Sequence, residues 1–443
     1  MSTHTVTKTT GWFERLGNSF KGILFGIVLF IAGSILLWWN EGNFVKTQVA
    51  LKEAQGVTGE LENINTVDTS RSGELVHAIG TAVTEDILDD PVFGISVNAL
   101  RLNRDVEFYQ WIEDSHTETK QKLGGGEEKT TTYSYRKDWV NNPVDSSRFH
   151  SPSAPTEHKN TVLASNVEQF SVQAKNVTFG AYRLPEFLVS SISGSESLPV
   201  QLSEEVTAKL HQQVLYPGSL PAPAPIPEPS TEQPAADAPA QGMLQFDEEE
   251  DKPAVVPATS PSSSMIHVSG STVYFGQNPA SPTVGDLRAS FKQTKPSNEV
   301  SIVAKLVGDT FERYTAANGK PVGMLSVGSH SAESMYTSAH ASNAMWTWIL
   351  RVGGVFLVCM GLGMIVAPLS VIASVVPLVG KIVGFGTGVF STMFGLAWSL
   401  FIIALAWLFY RPLIGIILLA AAVGLVVLLF TRKSSGKKEN TSV

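Results

Sequence analysis

Charge is scarce in this chain and wholly absent from one stretch: 16% of its 443 residues are Asp, Glu, Lys or Arg, and none of these falls within 22–39. With 43% hydrophobic residues, the composition excludes a disordered polyelectrolyte. Cysteine is nearly missing as well. Cys359 stands alone, so no intramolecular disulfide can brace the polar part of the chain, which must rely on its own core. The short motifs of catalysis are also lacking: there is no Gly-x-Ser-x-Gly elbow, no His-Glu-x-x-His, no phosphate-binding loop and no paired-cysteine zinc site. His116, His150 and His158 lie in polar, loop-like surroundings that read as solvent-exposed positions rather than a metal site. No catalytic residue, cofactor or metal ion is therefore expected, and the chain reads as a non-enzyme.

What is present is unevenly spread. Apolar residues crowd into 22–39 and 348–430. A hydrocarbon core of about 30 Å needs about 20 apolar residues in a helix rising about 1.5 Å per residue. By that measure the pattern implies four transmembrane helices over 22–39, 346–368, 383–410 and 413–430, the last two joined by a tight Tyr410-Arg411-Pro412 turn. The run 22–39 is too long for a signal peptide, and Asn40-Glu41-Gly42 after it is no cleavage site.

Basic residues flank the outermost spans: Lys8, Arg15 and Lys21 before the first, Arg432, Lys433, Lys437 and Lys438 after the last. Basic flanks stay in the cytoplasm, so an N-terminal segment 1–21 and a basic tail 431–443 are both expected there. The loop 369–382, broken by Pro377 and Gly380, reads as a cytoplasmic segment lying on the surface. Trp38, Trp39, Trp346, Trp348, Trp407 and Tyr410 would form the outer aromatic belt, with Arg351 snorkelling to the headgroups; Arg411, also an interface anchor, is the one basic residue that dissents from this orientation. Small residues allow close helix approach, so Gly22, Gly26 and Gly33 are candidate helix-packing positions, with an intramolecular or an intermolecular partner.

Residues 40–345 form the other part, an extracytoplasmic β-rich domain between the first two spans. Short alternating runs at 75–83, 130–139, 167–172 and 300–307 carry the strand signature, and 204–214 and 332–343 read as helices. The fold class is thus an α+β multi-pass membrane protein. A proline-rich insertion, 217–264, holds 11 prolines and an acidic cluster and reads as disordered. Gly124, Gly125 and Gly126 suggest a flexible hairpin tip. The first 39 residues carry three basic and one acidic side chain, and residues 348–443 carry seven and one. Given the total of −8, the middle of the chain holds −16, a charge that argues against nucleic acid as a partner.

Several segments stand out together: Trp12-Phe13-Glu14-Arg15-Leu16-Gly17-Asn18-Ser19, Trp39-Asn40-Glu41-Gly42, Thr132-Tyr133-Ser134-Tyr135 with Trp139, Gly285-Asp286-Leu287-Arg288 with Phe291, Thr347-Trp348-Ile349-Leu350-Arg351 and Tyr410-Arg411-Pro412. With these segments the chain resembles the transmembrane protein 43 family, also called LUMA, over nearly its whole length. The resemblance implies four spans, a large domain between the first two and both termini cytoplasmic. It also implies a scaffold that self-associates and organises protein complexes, as animal members do with emerin and lamins at the endoplasmic reticulum and inner nuclear membrane. In a bacterial member the domain would be periplasmic; in a eukaryotic one, lumenal. Where the family often has Gly-His-x-Asn-Pro, this chain has Glu157-His158-Lys159-Asn160-Thr161. Tyr133, Tyr135, Trp139, Asp286 and Arg288 are the family-motif positions to locate in the fold. Expected partners are membrane lipids, other membrane proteins and further copies of this chain. The competing reading is a membrane-proximal enzyme or lipid-handling protein, which would need Glu41, Glu53, His77 and Asp86 to converge beside an apolar groove.

Overall fold

A computed structural model describes residues 3–150, 154–164, 166–212 and 265–412. The proline-rich insertion, the fourth apolar run at 413–430 and the basic tail lie outside the described residues. Among the described residues, three helices are long and apolar enough to cross a membrane: Trp12–Val57, Ala332–Ala373 and Pro377–Tyr410.

The first helix overruns its apolar stretch at both ends, and 40–57, expected to begin the β-rich domain, continues it without a break. Its polar last turns carry Ala50, Leu51 and Ala54 into a core with Leu75, Val303, Met335 and Tyr336. The second helix starts deep in that same core, its N-terminus capped by the Ser331 hydroxyl accepting from Ser334 N–H. It passes through Pro368 to Ala373, five residues beyond the expected end of the span. The corner to the third helix takes only 374–376, so the surface-lying segment expected over 369–382 is instead helix on both sides of a tight turn. Pro377 opens the third helix at its first turn, where a missing N–H costs nothing. Gly380 is needed at the corner, since a Cβ there would come within 2.6 Å of Ser374 Cα.

Most of the remaining described residues build two large β-sheets, beside two small two-stranded ones and a few short helices. In one, Leu75–Thr84, Ser297–Val307, Thr310–Glu312, Tyr182–Arg183 and Val177–Phe179 pair in a cycle that closes on itself. Alternation along these strands sends Val76, Ala78, Phe179, Ile302 and Phe311 inward. In the other sheet the strand order is Thr3–Thr10, Glu127–Val140, Arg101–Gln121, Leu287–Thr294, Thr272–Phe275, Ile266–Ser269. Its core gathers Phe93, Val106, Phe275 and Phe291.

The strands Arg101–Gln121 and Glu127–Val140 make a hairpin far longer than the sheet that roots it. From Tyr109 to Gln121 it extends about 40 Å at roughly 3.3 Å per residue. The helix from Arg15 to Glu41 covers about 39 Å at roughly 1.5 Å per residue. The hairpin tip accordingly meets the end of the helices farthest from the domain, and the N-terminal strand pairs with it, Thr10 opposite Glu127 and Thr3 opposite Ser134. Segments 1–21 and 40–345, expected on opposite sides of the bilayer, therefore touch.

Candidate functional site

Where the bundle meets the domain, a polar clasp ties all three helices. Glu41, fully buried, receives Arg351 Nε and Nη2 on its two oxygens at 2.5 and 2.8 Å, and Trp407 Nε1 donates to it at 2.7 Å. Arg351 is only 13% exposed, its guanidinium 4.7 Å from the Trp348 ring and 6.0 Å from that of Trp407. It does not snorkel to the headgroups as expected, because a carboxylate one helix away offers a buried bidentate partner. Asn40 Nδ2 donates to Thr347 O at 3.0 Å and Asn343 Nδ2 to Phe44 O at 3.2 Å. Trp38 packs on Phe409 and Tyr410, while Arg411 lies 5.1 Å over the Phe44 ring. Gly42 admits the Tyr410 ring, which a Cβ would approach to 2.5 Å. Of the expected belt, Trp39, Trp346 and Trp348 face outward, at 55%, 57% and 63% exposure.

Along the bundle, Gly26 meets Gly361 and Gly33 meets Gly354. A Cβ on Gly26 would stand 2.7 Å from Gly361 O, and one on Gly33 3.0 Å from Gly354 O. The two glycines on each helix are two turns apart, so both pairs fall on one antiparallel seam within the chain. Gly22 does not join it, having nothing within 4 Å of its Cβ position.

At the far end is a second lock. Arg15 donates to Gly125 O at 2.5 Å and to Ser374 Oγ at 3.2 Å, and pairs with Glu127 at 3.0 Å. Trp12 Nε1 donates to Val371 O at 2.8 Å, and Gly124 N to Val375 O at 3.1 Å. Gly124 and Gly125 have φ of 82° and 79°, and a Cβ on Gly125 would come 2.3 Å from the Trp12 ring. The glycine tip, expected to be flexible, is thus held by both its backbone shape and its fit against tryptophan.

The family model for transmembrane protein 43 matches residues 108–412. The chain belongs to the transmembrane protein 43 family. It is 28% identical to transmembrane protein 43 of Pongo abelii and 27% identical to that of Homo sapiens, each match covering 98% of this chain and 97% of the relative. The transmembrane protein 43 homolog of Drosophila melanogaster is 25% identical over 92% of this chain and 94% of its own length. No solved structure matches.

The transmembrane protein 43 signature segments now acquire positions. Trp39 to Gly42, Thr347 to Arg351 and Tyr410-Arg411 converge on the clasp, and Trp12 with Arg15 forms the far lock. The remaining motif residues brace the root of the hairpin separately. Tyr133 stacks on His150 at 4.3 Å, and Tyr135, buried, donates to Glu113 at 2.8 Å. Trp139 carries the Arg288 guanidinium at 4.3 Å, and Arg288 Nε donates to Glu107 at 2.7 Å. Asp286 accepts from the Tyr274 hydroxyl at 2.5 Å and from Thr283 N at 2.7 Å. Burial, reinforced by the Asp286 carboxylate, pushes the Tyr274 hydroxyl well above its ordinary pKa and keeps it a donor. In the segment from Glu157 to Thr161, Asn160 pins the hairpin: Oδ1 accepts from Trp111 N at 2.7 Å and Nδ2 donates to Trp111 O at 3.0 Å.

The quartet the enzyme reading needs is taken up elsewhere, each member by its own partners. Glu41 belongs to the clasp, and Glu53 accepts from the Tyr314 hydroxyl and Ala317 N. His77 pairs with Glu60 at 2.6 Å, and Asp86 receives Lys175 N and Asn176 N. Sequence reasoning missed the roles of Trp12, Arg15, Glu41 and Glu127. The uncharged run ending just before Glu41, with an arginine inside the next apolar run, was the available signal for the clasp.

Proposed function

We propose that this family member is a membrane-anchored scaffold that self-associates and presents its β-rich domain as a fixed platform for other proteins. The observation that carries this reading is the unbroken first helix, apolar over 22–39 and packed by Ala50, Leu51 and Ala54 into the domain core. The clasp at Glu41, midway between, stops the bundle from turning beneath the domain. A platform held this stiffly loses little orientational freedom when a partner docks. The full topology has four spans, the fourth over 413–430, with both basic flanks in the cytoplasm and the domain body on the opposite side. In a bacterial cell that side is the periplasm; in a eukaryotic one, with the protein in the endoplasmic reticulum or inner nuclear membrane, it is the lumenal side. Membrane lipids, other membrane proteins and further copies of the chain are its partners.

The test is proximity labelling from the domain in the native host, combined with mass measurement of the detergent-solubilised protein. A reproducible set of membrane-protein neighbours and a multimeric mass are expected. A strictly monomeric protein with no enriched neighbour would refute the scaffold.

A further inference from the structure

The long hairpin and the N-terminal strand form a three-stranded ribbon beside the apolar bundle, and its chemistry is wrong for lipid. Asp114, Ser115, His116, Thr117, Glu118, Thr119 and Lys120 are all exposed on one strand, and Thr5, Thr7, Lys8 and Thr9 on another. The ribbon is latched by Arg15 and Gly125 at the far end and rooted by Asn160 and Trp111 near the domain. The hairpin therefore runs past the whole uncharged stretch 22–39, and the N-terminal strand runs beside the part of it nearest the tip, up to Ser134. Hydrocarbon does not tolerate an open sheet edge, since each unsatisfied backbone group there costs several kcal/mol.

Two edges are open. Among the described residues no strand pairs with the outward edge of Thr3–Thr10, or, beyond Phe108, with the edge of Arg101–Gln121 that faces away from Glu127–Val140. A helix laid against such an edge has no free N–H or C=O to offer it. Another strand or water must meet these groups. The two edges also complement each other. Thr3–Thr10 carries only His4 and Lys8 as ionisable side chains, while the facing edge of a neighbour would bring Glu118 and Asp114, the latter paired with Arg136, against His116 and Lys120; Glu113 is held by Tyr135 and His150. Both strands run antiparallel to Glu127–Val140, hence parallel to one another, so joining them from copy to copy is head-to-tail and repeats with one rotation.

We propose that copies of this chain close into a ring in which the N-terminal strand of one pairs with the outer half of Arg101–Gln121 of the next. The ribbons then make a polar-walled barrel around a water-filled lumen, and the apolar helices form the lipid-facing belt outside it. Polar backbone at membrane depth is accommodated in just this way, by lining water. The lumen suits water and small hydrated ions, with Glu118, Lys120 and Lys8 on the strands that wall it. This inference rests on the self-association in the scaffold reading and goes beyond it in naming the surface and what it encloses.

The experiment uses full-length protein in liposomes with Cys359→Ala as background. Single cysteines are placed at Thr117 and Thr131, which face one another across the ribbon with hydroxyls 2.9 Å apart, and at lipid-facing Leu24, 71% exposed, as control. Thr117→Cys and Thr131→Cys are expected to react with a charged, membrane-impermeant thiol reagent at least tenfold faster than Leu24→Cys. Differently tagged copies bearing Thr7→Cys and Glu118→Cys, reconstituted together, are expected to cross-link to each other under oxidation. Multimers lacking either the fast labelling or the inter-copy cross-link would overturn the ring while leaving the scaffold standing. A monomer in the membrane would overturn both.

Discussion

Replacing Glu41 by glutamine strips the charge from the clasp while keeping an oxygen for the Trp407 N–H. Arg351 then holds its cation at 13% exposure between two tryptophans with no anion beside it. Breaking a buried, hydrogen-bonded ion pair by removing one partner costs about 3–5 kcal/mol. Arg351 keeps 13% exposure, so the low end applies, and about 3 kcal/mol shifts the folded-to-unfolded ratio by roughly two orders of magnitude. Arg351→Met alone leaves the Glu41 carboxylate stranded and falls in the same range. The double variant Glu41→Gln with Arg351→Met has no buried charge left, and is expected within about 1.5 kcal/mol of the parent because the desolvation penalty vanishes with the attraction. Denaturant unfolding in detergent micelles, read by tryptophan fluorescence, gives all four corners of the cycle. The clasp is refuted if the single losses simply add in the double variant, leaving a coupling below about 0.5 kcal/mol.

The glycine seam makes a sharper distinction. Gly361→Ala would press its methyl to 2.7 Å from Phe30 N and should destabilise by about 1–3 kcal/mol, whereas Gly22→Ala, with nothing nearby, should be neutral in the same assay. Gly125→Val needs an unfavourable φ and drives a side chain into Trp12, so the tip should undock. Amide exchange at 122–128 would then rise well above the parent's, and unchanged protection would contradict the far lock. Acid sensitivity of the domain has a defined sign. The N–H of Asn176, then its side chain, hold the Asp86 carboxyl below its ordinary pKa of 3.8, so the stability it supplies is present above that value and is lost as pH falls through the lower folded value. An acid unfolding curve should therefore bend below about pH 4 and bend less in Asp86→Asn; identical curves would count against this.

The parts legible in the sequence are those whose signal is local. Uncharged runs announce the helices, and alternation in 75–83 and 300–307 announces strands with one face in a core. The outer half of Arg101–Gln121 shows no alternation because both its faces are exposed, so its period of two has nothing to mark it. The same holds for Thr3–Thr10, where only β-branched threonine and valine hint at a strand. Glu41 and Arg351 are 310 residues apart, and no window along the chain contains both. Read singly, a glutamate after a span looks like a loop residue and an arginine near its end looks like a snorkel. Only antiparallel packing of the two helices reveals a pair.

The central claim is that the apolar helices cross a bilayer and carry the domain body on one side of it. Single cysteines at Asp309, in the domain body, and at Glu14, at the far end of the first helix, test it in sealed vesicles with Cys359 replaced by alanine. Asp309→Cys should react with an impermeant maleimide from one face only, and Glu14→Cys from the other face only. Labelling of both positions from the same face would contradict the account.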